Sequence, residues 1–148
     1  MSNTQFAFLK KENVPGREAW QKAIDELSFS IRLEIDPELQ AFDHEGFLPC
    51  KFDGGDDEVG FELYYEPAED VLDGDDDPLK ELVDAGNNYC ISLCWRGSMK
   101  DCATVMIASC ALVKLSGAVV SYKGEGPYTL DNLIEETTKV IALSREED

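Results

Sequence analysis

The order of hydrophobic periods along the chain predicts an α+β fold, with a mixed, largely antiparallel sheet and helices mainly on one face. Three observations carry this expectation. A period-two alternation runs through 27–35, and two further apolar stretches, 46–52 and 59–65, flank a Gly-rich acidic connection of the hairpin type. Helical spacing recurs at 16–26 and 130–143. Between them, 102–115 (CATVMIASCALVKL) is apolar nearly all round and must be covered on several sides. The resulting order is strand, helix, three strands, short helix, strand, helix, strand, helix, which suits one layer of strands and one of helices. A chain of 148 residues without repeat or long linker is read as a single domain over 1–148.

Each element has its own signal. In 5–10 (QFAFLK), polar and apolar residues alternate well enough for a short strand, with Phe6 and Phe8 on the opposite parity to Ala7 and Leu9. Pro15 sits where a first helical turn tolerates a missing N–H, and Trp20, Ile24 and Leu27 follow at i, i+4 and i+7. From Leu27 the period changes to two, with Leu27, Phe29, Ile31, Leu33 and Ile35 on one side, until Asp36 and Pro37 end the strand. Pro49 cannot donate to a ladder, so the strand 46–52 is expected at an edge or at a bulge. The segment 78–85 (PLKELVDA) suggests one or two helical turns ended by Gly86 and Asn87, and 89–95 (YCISLCW) a central strand. Ser98 and Asp101 carry helix-start chemistry, although the capping box prefers Glu or Gln at the latter position, and Gly117 stops that helix. A strand over 118–122 and a helix over 130–143 complete the pattern.

Composition excludes several function classes. With 43% hydrophobic and 30% charged residues the chain is globular, and the core should be stable without metal or disulfide. No apolar run approaches the roughly 18 residues needed to cross a bilayer, and 1–16 lacks a basic segment followed by an apolar core. A cytoplasmic location is expected. Five cysteines, Cys50, Cys90, Cys94, Cys102 and Cys110, are an odd number in apolar surroundings and suit buried reduced thiols. Thirty-one acidic residues against 13 basic ones give a net charge of −18, which repels nucleic acid and anionic membrane and attracts basic protein surfaces.

The acids are concentrated. From 53 to 84 there are fourteen acidic residues and a single basic one, Lys80. Asp53, Asp56, Asp57, Glu58, Asp73, Asp75, Asp76 and Asp77, with Phe61, Tyr64 and Tyr65 as aromatic anchors among them, form the expected partner-binding set, since interfaces use aromatics embedded in charge. A solvated charge run selected for solubility is the plainer reading of the same residues. Asp73, Asp75 and Asp77 open like a calcium loop, but Pro78 stands where the sharp turn needs glycine and Asp84 where a bidentate glutamate is needed.

Catalytic and metal chemistry find little support. Cys90 and Cys94 are four apart on a strand, about 13 Å, too far to share a zinc ion, and Cys102 and Cys110 are two helical turns apart. His44, the only histidine, lies in a polar loop between Asp43 and Glu45 without a nucleophile elbow. No catalytic residue, metal or cofactor is therefore expected. Trp95, Arg96, Gly97 and Ser98 place a cation at the turn into a buried helix, where an anion or a neighbouring acidic loop could be held.

The stretch GFLPCKFDGGDDEVGFELYYEP followed by CWRGSMKDCA, in a small acidic chain of this element order, resembles the immunity proteins of bacterial polymorphic toxins, including those of contact-dependent growth inhibition. The resemblance implies a protein that binds and blocks a cognate toxin, often a basic nuclease, and it transfers no individual residue. Two other classes stay open: a small-molecule-binding domain or enzyme with a pocket near Trp95 and Arg96, and a structural subunit of an assembly. The oligomeric state is not readable.

Overall fold

A strand with apolar side chains on both faces belongs inside a sheet, and that is where the computed structural model puts the first one. The structure describes residues 3–14, 16–27, 33–35, 46–52, 59–71, 86–95, 98–122 and 125–146. Strand β1 (Asn3–Leu9) pairs antiparallel with β5 (Tyr89–Trp95) on one side and with β6 (Val119–Tyr122) on the other. Ala7 and Leu9 point to one face and Phe8 to the other, all fully buried.

The remaining strands extend this centre outward. β4 (Val59–Pro67) joins the free side of β5, β3 (Gly46–Phe52) joins β4, and the three-residue β2 (Leu33–Ile35) joins β3, while β7 (Glu125–Tyr128) joins β6. The order is β2-β3-β4-β5-β1-β6-β7. The fold is α+β as expected, with β5 central, and every pairing among the described residues is antiparallel. Because β5 and β6 each run against β1 from opposite sides, they are parallel to one another without touching. The helix between them is the crossover that such an arrangement needs.

That crossover helix, α2 (Met99–Ser116), organises the core: all eleven residues from Cys102 to Leu112 are buried. Its start is fixed by Ser98, whose hydroxyl accepts from the Asp101 N–H at 3.4 Å. Its end is fixed by Gly117 at φ 66°, ψ 25°, a left-handed conformation that glycine adopts at no steric cost. α1 (Arg17–Glu26) and α3 (Leu130–Glu146) both pack on α2. Trp20, Ile24, Leu133 and Ile141 from these helices share one cluster with Ala7, Leu9, Leu63, Leu93 and Val120 from the strands. Small residues on α2 allow α1 to come close, and the Trp20 indole Nε1–H donates to the Ala108 carbonyl at 3.0 Å. Under α2, Gln5 of β1 is only 2% exposed and donates through Nε2 to Ser109 Oγ at 2.6 Å. A buried amide so partnered avoids the desolvation penalty of an unpaired one. On the opposite face of the sheet a smaller cluster forms from Phe8, Ala68 and Cys90, with Phe6 and Val71 against it.

Three expectations about the elements change. Leu27 does not begin a strand: it takes αR backbone, its N–H bonds the Ile24 carbonyl, and its side chain packs on the main core as the last member of the α1 stripe. Of the expected strand only Leu33–Ile35 is seen as β2, and 28–32 lie outside the described residues. β3 is not the outermost strand, because β2 covers it from Cys50 to Phe52, and Pro49 falls just beyond the paired stretch. The strand Glu125–Tyr128 was not expected from the sequence EGPY. It sits at the sheet edge, where Pro127 is tolerated, and a register shift opposite Val120 and Tyr122 accommodates it. The helical turns expected over 78–85 lie outside the described residues.

Replacing Trp20 by Phe removes the indole donor and leaves space in the α1–α2 contact. Its expected cost is about 2 kcal/mol of unfolding free energy in urea titration, with the fold retained by circular dichroism. Gly117→Ala, which meets no atom within 4 Å and therefore costs backbone conformation alone, is expected to lose about 1 kcal/mol.

Candidate functional site

The strand β4 shows how alternation divides the expected anchors. Successive side chains on a strand point to opposite faces, so Phe61, Leu63 and Tyr65 go toward the helices while Glu62, Tyr64 and Glu66 go to the other side. Phe61 is 1% exposed and lies edge-on to Trp20 with ring centroids 6.0 Å apart at 65°. It is a core residue and not a surface anchor. Tyr65 is half-buried and packed on the same main core. Only Tyr64 reaches the surface, 38% exposed, opposite Ser92 in the register. The period-two pattern of VGFELYYEP already contained this division; reading the three aromatics as a group concealed it.

Among the acids, Glu62 and Glu66 are half-buried on the Tyr64 side, and Glu69 and Asp70 are exposed in the single 3₁₀ turn Ala68–Asp70 that follows β4. Ala68 is itself fully buried, its N–H donates to the Asn88 carbonyl at 3.0 Å, and it closes over Phe8 and Cys90. The other expected partner-binding residues, Asp53, Asp56, Asp57, Glu58, Asp73, Asp75, Asp76 and Asp77, lie outside the described residues, as do His44 and Arg96.

The helix start near Trp95 is already engaged. β4 pairs with β5 only from Glu62 onward. Two residues before that, the Gly60 N–H donates to Asp101 Oδ1 at 3.1 Å. A carboxylate in the first turn complements the positive end of the helix dipole, so α2 supplies its own anion and uses it to hold β4. This role was not read from the sequence, where Asp101 was weighed only as an imperfect capping-box residue. Trp95 is 6% exposed within the main core. A shallow depression of about 590 Å³ lies at the other end of β5, lined by Lys10, Lys11, Glu12, Gly86 and Asn88. There the Lys11 ammonium sits 5.5 Å above the Tyr89 ring and the Lys11 N–H donates to Asn88 Oδ1 at 3.1 Å.

All five cysteines are free thiols, four of them buried and Cys94 half-buried. Burial pushes Cys90 up to about 12, with the Ser92 hydroxyl pulling the other way and Glu66 adding to the rise. Burial likewise raises Cys102 and Cys110 to about 11. Cys94 is also raised, first by burial and then by Glu62, against a 3.4 Å contact with the Thr4 hydroxyl. Such thiols are packing groups, not thiolate nucleophiles. Among the described residues no group of three or more His, Cys, Asp or Glu side chains is placed to hold a metal ion, and no helix is long and apolar enough to cross a membrane. In comparisons with known proteins the chain matches no family model, no curated sequence and no solved structure.

The thiols predict an alkaline limit to stability. In the unfolded chain they lose protons near 9.0, whereas in the folded protein Cys90, Cys102 and Cys110 hold theirs to about 11–12. The unfolded state then binds fewer protons, so stability is full below pH 9 and falls as pH rises toward 11–12. The urea midpoint should decline over that window, and brief alkylation at pH 8 should label Cys94 before the other four.

Proposed function

We propose that this chain is a non-catalytic binding protein that neutralises a basic protein partner, in the manner of a cytoplasmic immunity protein blocking a cognate bacterial toxin. The observation that carries the reading is the charge distribution: −18 overall, with fourteen acids against one lysine in 53–84, the segment that contains β4 and the turn after it. Charge of this density speeds encounter with a basic surface by roughly 10–1,000-fold at low salt. The most natural target is a toxin domain whose own work requires a basic surface, such as a nuclease, with the carboxylates standing in for phosphates. A reducing compartment suits five free thiols.

The reading is tested by isolating the partner from the native host and measuring its affinity at two salt concentrations. A basic partner is expected, with affinity falling by about tenfold or more between about 50 and 300 mM salt. Reversing charge at Asp75, Asp76 and Asp77 to lysine should slow association by a comparable factor. A partner of neutral or acidic surface, or binding indifferent to both salt and charge reversal, overturns the reading.

A further inference from the structure

We draw no further inference here: the strongest candidate, the shallow depression at the end of β5 lined by Lys10, Lys11, Glu12, Gly86 and Asn88, adjoins 72–85, which lie outside the described residues, and no buried polar side chain among its described lining points to a ligand.

Discussion

Covering α2 is the constraint on which the rest of the structure depends. Eleven consecutive buried residues leave no stripe for solvent, and a helix of that kind is stable in water only when other elements enclose it. The sheet supplies one side, α1 and α3 supply the flanks, and the Trp20 and Gln5 hydrogen bonds fix each layer against it. Small side chains along α2 let three partners approach one helix. Polar groups within this core are satisfied locally: Thr137 donates to the Leu133 carbonyl at 2.6 Å and lies 3.3 Å from Cys110 Sγ. The cysteines fit the same logic, as compact apolar residues whose burial suppresses their acidity.

Much of this was legible in the sequence because period and packing agree. β1, α1, β5 and α2 fall where alternation and helical spacing place them, and Ser98 and Gly117 mark the ends of α2 as their chemistry requires. The disagreements occur where two signals overlap. Leu27 completes both a helical stripe and an alternating run, and its contact with the core settles it as the end of α1. EGPY has little strand propensity, so β7 is set by the neighbouring β6 and not by its own residues. The final helix runs three residues past its expected end, to Glu146, and its start is capped by Thr129, whose hydroxyl accepts from the Asn132 N–H at 3.2 Å.

The candidate site was less legible, and for a physical reason. Charge is visible in composition, but composition carries no direction, whereas a strand sorts its residues by parity. Phe61, Tyr64 and Tyr65 are near neighbours in sequence and have three different fates: core, surface and half-buried packing. Asp101 makes the same point, since its bond to the Gly60 N–H joins two elements 41 residues apart and has no local signature. What sequence offered was a sign of charge and a set of acids. The structure adds parity, which puts Phe61 and Leu63 in the main core and Tyr64 at the surface.

The position of β1 sets a timetable. Asn3–Leu9 is wedged between Tyr89–Trp95 and Val119–Tyr122, so this strand must wait until both flanking strands have left the ribosome before its ladders close. Contacts of such long sequence separation make for slow folding. Until then its phenylalanines are uncovered, a cargo for whatever chaperone meets the growing chain.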